Sequence, residues 1–230
     1  MAGTIGIVGG LGPEGTVHYY RKLARQVGMI PLDEGRPGIV VDHVWIDRFA
    51  ALLRAGADRE VTSQLADSVQ RLHRAGAEVG LIAAVTPHKF FAAVQACSPI
   101  PLVDLVDATE REVTAAGYPV VGLLGSRLTL TDSFFRGRLE RGGVRVAVPA
   151  EDGISCLNDL IFGPLASGTK TDAMKRDLRE IVRKMAAAAR LDALIVGCTD
   201  LMDLLDPSVP LIDPIDCHIR LAMALAAKKS

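Results

Sequence analysis

Apolar positions follow two alternating patterns along the chain. Short runs of four to six mostly apolar residues alternate with longer stretches in which apolar residues recur every three or four positions. The first pattern is typical of strands buried on both faces, and the second of helices that pack one face against a sheet. The predicted strands cover residues 4–8, 39–44, 79–83, 120–124, 144–148 and 193–196. The predicted helices cover residues 14–27, 60–75, 88–97, 106–116, 133–141, 172–189 and 215–227. This alternation predicts an α/β fold with parallel sheets and right-handed crossovers.

Two stretches of the chain share one shape. LIAAVTPHKF at 81–90 and LIVGCTDLMD at 194–203 each read as an apolar strand, a sharp turn and the start of a helix. We interpret the repeat as two similar α/β lobes, with PIPLVDL at 99–105 crossing into the second lobe and VPLIDPIDCH at 209–218 returning. The first lobe is then residues 1–98 plus 209–230, and the second is residues 99–208. The active site is expected in a cleft where the carboxyl ends of both sets of strands face each other.

Composition argues against several classes of partner and location, and against a metal site or a disulfide framework. The 230 residues are 49% apolar and carry a net charge of −1, without a cluster of Lys and Arg, so a nucleic-acid partner is not expected. Neither a basic start followed by an apolar run nor a stretch long enough to span a membrane is present, which predicts a cytoplasmic protein without membrane contact. Four scattered cysteines without a CxxC pair predict neither a disulfide framework nor a structural zinc site, and no metal is expected.

The glycine-rich stretch GIVGGLGPEGT at 6–16 contains a GxGxxG pattern between a strand and a helix, and Asp42 follows the second strand. Such glycines can bring N–H groups and a helix N-terminus onto a pyrophosphate. Pro13, however, removes one N–H group, and Glu14 places negative charge where a phosphate would lie. We therefore favour a tight turn that lines a small-molecule pocket over binding of a dinucleotide.

Cys198 follows an apolar strand and Gly197, and precedes a helix predicted from about Asp200. N–H groups and a helix dipole at that position favour thiolate over thiol, and a thiolate there could act as a nucleophile or as a base. A small buried apolar residue is an equal alternative from position alone. The other three cysteines lie on helical patterns among apolar neighbours, which predicts plain packing for Cys97, Cys156 and Cys217.

Several polar residues follow other predicted strands. His88 and Thr86 occupy the matching turn of the first half, and Arg48 could hold a substrate carboxylate through its guanidinium group. Ser126 and Thr129 follow the strand VVGLL and could donate to a carboxylate. Each has an ordinary alternative when taken alone: a structural histidine, a solvated arginine, or hydroxyls of the kind common after strands.

Together these stretches resemble the aspartate/glutamate racemase family, the pyridoxal-phosphate-independent amino-acid racemases. IGIVGGLGPEGTVHYY is similar to the opening of that family, and PLVDLVDATEREVTAAGYPVVGLLGSRLTL to its middle segment. LIVGCTDL resembles the second catalytic turn, and VPLIDP the segment before the last helix. The similarity extends over nearly the whole chain, with the motifs in the same order.

The resemblance implies two α/β lobes with the site between them, no cofactor, and a homodimer. In the family one thiolate removes the α-proton and an opposite thiol delivers a proton to the other face. Carried over by position, Cys198 is the second-lobe thiol and Arg48 a carboxylate clamp, while Gly10 and Leu11 form one wall of the cleft. The hydroxyl or amide donors implied for the substrate are Thr86, Ser126, Thr129 and Thr199.

The first turn departs from the family pattern. Where the family usually reads Cys-Asn-Thr, this chain reads Ala84, Val85 and Thr86, so the first thiol and the amide beside it are missing. Racemisation through a carbanion needs a proton donor or acceptor on each face of the α-carbon. We therefore expect an atypical one-cysteine isomerase acting on an acidic amino acid, with His88, Thr86 or water serving the empty face. The alternatives are a single-thiol decarboxylase or lyase on a malonate-like acid, as in the related arylmalonate decarboxylases, or a carboxylate-binding protein without catalysis.

Overall fold

The computed structural model describes residues 3–206 and 208–227, apart from the side chains of Ala166 and Thr199, and it divides into two compact units. Unit 1 contains the residues up to Leu105 and those from Ile215 onwards, and unit 2 is Val106–Pro214. Compared with the predicted boundaries, residues 99–105 fall in unit 1 and residues 209–214 in unit 2. Each crossing segment therefore belongs to the unit that it leaves.

The described residues contain seven strands and ten α-helices. The strands are β1 (Ile5–Gly9), β2 (Ile39–His43), β3 (Val79–Ile82), β4 (Val120–Leu124), β5 (Arg145–Ala147), β6 (Ala193–Val196) and β7 (Leu211–Ile212). The helices are α1 (Pro13–Gly28), α2 (Ile46–Arg54), α3 (Asp58–Arg74), α4 (Phe91–Ala96), α5 (Leu105–Ala115), α6 (Arg127–Thr131), α7 (Arg136–Arg141), α8 (Glu151–Phe162), α9 (Asp172–Ala188) and α10 (Pro214–Ala227). Short 3-10 helices lie at Leu32–Glu34, Thr86–Phe90, Leu165–Ser167 and Thr199–Leu204. No helix in this described part is long and apolar enough to cross a membrane.

Each unit contains one parallel sheet. The order is β2-β1-β3 in unit 1 and β5-β4-β6-β7 in unit 2, and every pair of neighbouring strands is parallel. All residues of β1, β3 and β6 are buried, as expected for central strands covered on both faces, whereas the edge strand β2 is half-exposed. The prediction of two parallel-sheet α/β lobes is confirmed.

The elements that the sequence did not predict are short or lack local signals. β7 has two residues and forms only by pairing beside β6, with Leu194 opposite Leu211. α2 and the twelve-residue α8 both begin without a side-chain cap, and α6 has five residues, too few to show a helical period. The helix predicted from Asp200 is instead a 3-10 helix, so it brings little dipole to Cys198.

The loop between β1 and α1 is fixed against the end of β2. Gly10 has a φ of +84°, and a Cβ placed there would lie 2.2 Å from the carbonyl oxygen of Val44. The Val44 N–H donates to the Gly9 carbonyl at 2.9 Å, and the Gly10 N–H donates to the Thr16 hydroxyl at 2.8 Å. Only glycine satisfies both the backbone conformation and the contact at position 10.

Gly10→Ala should therefore destabilise the protein more than Gly12→Ala. Gly12 also has a positive φ, of +106°, but a Cβ there meets nothing within 4 Å. We expect Gly12→Ala to lower the free energy of unfolding by about 1–2 kcal/mol through conformational strain, and Gly10→Ala by a further ~1–3 kcal/mol through overpacking. Urea unfolding of both variants measures the difference, and equal losses would show that the Val44 contact does not constrain the loop.

Candidate active site

The residues predicted for the site in unit 1 all follow the carboxyl ends of its three strands. Because parallel strands end at the same edge of a sheet, the topology brings these positions to one edge. Gly10 and Leu11 follow β1, Arg48 lies in the first turn of α2 after β2, and Ala84, Val85 and Thr86 follow β3.

The turn after β3 offers backbone donors and an apolar surface. Ala84 is half-buried, packs against the hydrophobic core of unit 1, and donates its N–H to the Ile82 carbonyl at 2.9 Å. Val85 and Thr86 precede the first bond of the following 3-10 helix, and their N–H groups have no acceptor within the described residues. These two N–H groups can therefore donate to a ligand oxygen, whereas the Ala84 side chain has no proton to transfer.

Arg48 and the loop after β1 complete this edge. Arg48 is exposed and forms no ion pair with any residue in the described ranges, so its guanidinium group is available to a carboxylate. Leu11 is 9% exposed and supplies an apolar wall. The Gly10 N–H is already bonded to Thr16, which leaves that loop without a free amide at position 10.

The His88 ring lies in the interior of unit 1. Its side chain is fully buried, stacks on Phe91 and places Nε2 3.4 Å from the Ile82 carbonyl. Nδ1 lies 3.5 Å from Asp104 Oδ1, within ion-pair distance but without hydrogen-bond geometry to any described residue. A group that exchanges a proton with substrate must reach it, and the contacts of this ring instead hold the turn after β3 against the segment at 103–105.

A buried polar cluster extends from His88 to α10. The rings of His88 and His218 are 5.3 Å apart, Tyr19 lies 3.0 Å from His218 Nδ1, and Nε2 of the same ring lies 2.8 Å from the Val103 carbonyl. The carbonyl can only accept, so Nε2–H donates to it and the Tyr19 hydroxyl donates to Nδ1. Burial, and then the charge of His88, lowers the pKa of His218 to about 3, so this histidine is neutral near pH 7.

In unit 2 the predicted residues follow two adjacent strands. Ser126 caps α6 after β4, and its hydroxyl lies 3.1 Å from that of Thr129. Both are buried, and because one hydroxyl donates to the other, only one proton of the pair is left for a ligand. The Gly197 N–H donates to the Leu124 carbonyl at 2.7 Å, and a Cβ at Gly197 would lie 3.4 Å from the Thr129 methyl group. The Ser126–Thr129 turn therefore lies beside the cysteine turn.

Cys198 follows the buried strand β6 in an extended conformation and is itself half-buried. The 3-10 helix Thr199–Leu204 follows directly, and the Leu201 N–H donates to the Cys198 carbonyl at 3.1 Å. The backbone N–H groups of Asp200 and Leu201 lie near enough to the sulfur to lower the pKa of the thiol. Thr199 begins the same helix, and its side chain lies outside the described part.

Burial changes the pKa of the Cys198 thiol more than the neighbouring N–H groups do. It raises the pKa of the Cys198 thiol to about 11, with the Asp200 carboxylate adding to the rise, while the two N–H groups and Lys170 lower the pKa by less. The surroundings of the sulfur therefore favour the thiol over the thiolate, because removing the sulfur from water disfavours its charged form more than the N–H groups favour it. Cys198 is a protonated thiol at rest, hence a proton donor before it can be a base.

Sequence reasoning missed several residues of these surroundings. Lys170 influences the thiol and pairs with Asp203 at 2.6 Å, although 28 positions separate Lys170 from Cys198 in the sequence. Tyr19, Asp104 and His218 meet only through the fold, so no local pattern could have identified them. Within the described ranges no group of three or more His, Cys, Asp or Glu side chains is placed to hold a metal ion.

Comparison with known proteins places this geometry in a family. The profile described as Asp/Glu/Hydantoin racemase matches residues 8–222. An aspartate racemase homologue from Pyrococcus horikoshii OT3 is 30% identical, with a TM-score of 0.83 over 97% of this chain and 99% of that one. A Yersinia pestis protein provisionally described as an Asp/Glu racemase is 28% identical, with a TM-score of 0.87 over the same shares. An arylmalonate decarboxylase shares the fold at 15% identity and a TM-score of 0.57, over 97% of this chain and 92% of that one. The chain belongs to the Asp/Glu/hydantoin racemase family.

Proposed function

We propose that this protein is a cofactor-independent isomerase of the amino-acid racemase type that acts at the α-carbon of an acidic amino acid, with Cys198 as its acid/base. The observation that carries the proposal is the thiol of Cys198 at the carboxyl end of β6, next to the N–H groups that begin the following 3-10 helix. The aspartate racemase homologue that shares 30% of its residues supports the substrate class.

In the proposed reaction the Cys198 thiolate removes the α-proton, and the electron pair of the broken C–H bond passes into the adjacent carboxylate as an enolate-like anion. N–H groups of Val85 and Thr86, one hydroxyl of the Ser126–Thr129 pair and the Arg48 guanidinium are the donors proposed for the substrate carboxylates. Such donors stabilise the charge that develops in the transition state. Return of the proton from the Cys198 thiol restores the original configuration, and protonation from the opposite side inverts it.

This protein differs from a two-thiol enzyme at the face of the substrate α-carbon opposite Cys198. Ala84 stands at the position of the first thiol, and the buried His88 ring is turned towards Asp104 and Phe91. We propose that water, or the half-buried Thr86 hydroxyl with water behind it, delivers the proton on that face. Inversion should then be slow compared with exchange at the face served by Cys198.

A second candidate is a decarboxylase acting on a malonate-like acid, and the resting state of Cys198 favours it. There the bond between the α-carbon and one carboxylate breaks, carbon dioxide leaves, and the remaining electron pair takes a proton from the Cys198 thiol. Solvent then reprotonates the thiolate. This sequence starts from a protonated thiol, which is the form that burial stabilises, and it needs no group at Ala84.

The assembly and location of the protein stay predictions. The resemblance implies a homodimer that works on a small carboxylate. The charge balance predicts no nucleic-acid partner, and the sequence pattern predicts a cytoplasmic location. A third possibility is a carboxylate-binding protein without catalysis, in which Cys198 takes part in no reaction.

Proton exchange at the α-carbon tests the proposal. In D2O, followed by NMR, we expect deuterium to enter L- or D-aspartate or glutamate with retention much faster than enantiomers interconvert. Cys198→Ala should lower the exchange rate by roughly 10²–10⁴-fold, the usual contribution of a positioned acid/base group. Cys97→Ser is the matched control, because Cys97 is an exposed thiol just after the end of α4, and it should leave the rate unchanged.

The same assay with an aryl- or alkylmalonate separates the two candidates. Carbon dioxide release that depends on Cys198, without exchange of any amino acid, would replace the isomerase by the decarboxylase. Equal rates of exchange and inversion would show that a second group transfers protons on the opposite face as effectively as a thiol. Exchange that is unaffected by Cys198→Ala would contradict both candidates.

Ala84→Cys should give the enzyme a second thiol. Ala84 follows β3 at the sheet edge and is only half-buried, so one added sulfur atom is expected to be tolerated. If Cys198 works alone on one face, interconversion of enantiomers should rise by roughly 10²-fold or more. Ala84→Ser is the control of similar size with a poorer acid, and chiral chromatography measures both. An unchanged racemisation rate in a folded Ala84→Cys variant would mean that position 84 does not face the α-carbon.

A further inference from the structure

Helix α8 carries a row of polar side chains that bind Arg127. Glu151, Ser155 and Asn158 are spaced by four and three residues, so they lie on one face of α8. The guanidinium group of Arg127 donates to the Glu151 carboxylate at 2.6 Å and to the Ser155 hydroxyl at 2.8 Å. The backbone N–H of Arg127 donates to Asn158 Oδ1 at 3.2 Å. Because Arg127 is the first residue of α6, these contacts hold the start of the Ser126–Thr129 turn against α8.

The hydrogen bond from Arg127 also fixes the orientation of the Asn158 amide. A backbone N–H can only donate, so the atom of Asn158 that faces it is the carbonyl oxygen, and the NH2 group occupies the other branch. This NH2 group donates to no residue in the described ranges. Asn158 is half-buried, and its Nδ2 does not belong to the fully buried polar atoms that lack a partner, so the group remains accessible to a ligand.

The Ser126–Thr129 turn has few donors of its own for a carboxylate. One hydroxyl of the pair donates to the other, which leaves one proton, and the Arg127 N–H is already bonded to Asn158. A carboxylate has about four lone-pair sites, and its removal from water is costly unless these sites receive hydrogen bonds. The Asn158 NH2 group offers two further N–H donors beside this turn.

We propose that the NH2 group of Asn158 donates to a substrate carboxylate, together with the remaining hydroxyl proton of the Ser126–Thr129 pair. The turn lies beside Cys198 within unit 2, because the Gly197 N–H donates to the Leu124 carbonyl at the end of β4. This inference rests on the proposed function, since it adds a binding residue to the same site. The amide is a neutral donor, and its direction is set before the substrate arrives.

The amide can be observed directly, because Asn158 is the single asparagine of the chain. Selective ¹⁵N labelling of asparagine therefore gives one pair of side-chain NH2 signals in a proton–nitrogen correlation spectrum. On saturation with L-aspartate, L-glutamate or malonate, we expect one proton of the pair to shift downfield while the other stays nearly in place. Malonamide, which has the shape of malonate without its charges, is the control ligand and should leave both signals unchanged.

Two substitutions separate a binding role from a purely structural one. Asn158→Asp keeps an oxygen for the Arg127 N–H but replaces the NH2 donors by a negative charge, whereas Asn158→Ala removes both. Loss of a hydrogen bond to a charged group should raise the Kd of the carboxylate roughly 10- to 100-fold in Asn158→Ala. The increase should be larger in Asn158→Asp, because like charges repel. A residue that only held the turn would give the reverse order, with Asn158→Asp closer to wild type.

Gln70→Glu makes the same change from amide to acid at an exposed position on α3, and as the matched control it should leave Kd unchanged. Isothermal titration calorimetry measures Kd for all four proteins, and circular dichroism checks that each is folded. An Asn158→Asp variant that binds as tightly as wild type would overturn the proposal. So would an unshifted amide pair in the presence of all three carboxylates.

Binding is measured without turnover, so failure of this inference can be told apart from failure of the proposed function. A shifted amide in a protein that exchanges no α-proton would support the role of Asn158 and contradict the proposed catalysis. Exchange that depends on Cys198, with an amide pair that the substrate does not shift, would overturn the role of Asn158 alone.

Discussion

The competition between burial and backbone hydrogen bonds at the sulfur of Cys198 governs what this protein can do. β6 is buried along its whole length, and Cys198 follows it in a turn where the nearby N–H groups of Asp200 and Leu201 lower the pKa of the thiol. Those donors suit a thiolate, yet removal from water raises the pKa of the thiol to about 11. The resting group is a proton donor, and any base chemistry must begin from a minor ionised fraction. A substrate that accepts a proton early in the reaction suits this state better than one that must first lose a proton.

The first turn is consistent with one-sided chemistry. Ala84 offers no proton in the turn after β3, while the N–H groups of Val85 and Thr86 are available there whatever the side chains, because they belong to the backbone. Binding of a carboxylate and transfer of a proton are thus separable in this architecture. Beneath the turn, His88 and His218 join α1, β3 and α10 through buried polar contacts, which stabilises the turn's position without requiring His88 to touch substrate.

The sequence was most informative where local pattern and topology coincide. Alternating apolar periods predicted the two parallel sheets, and because sites in such sheets follow strand ends, Arg48, Thr86, Ser126 and Cys198 could be proposed without coordinates. What could not be predicted depends on distant parts of the chain. His218 contacts Val103 across 115 positions, β7 exists only as a neighbour of β6, and the direction of the Cys198 pKa shift is set by burial.

The ionisation of Cys198 can be measured directly by its rate of alkylation with iodoacetamide as pH is varied, with each cysteine followed separately by mass spectrometry. The exposed thiol of Cys97 in the same molecule is the internal reference. Because the thiolate reacts, Cys198 should be modified at least about 10-fold more slowly than Cys97 near neutral pH, and its rate should still be rising above about pH 10. A Cys198 that reacts faster than Cys97 near pH 7, with a rate that levels off below about pH 8, would contradict the protonated resting thiol and the one-sided chemistry built on it.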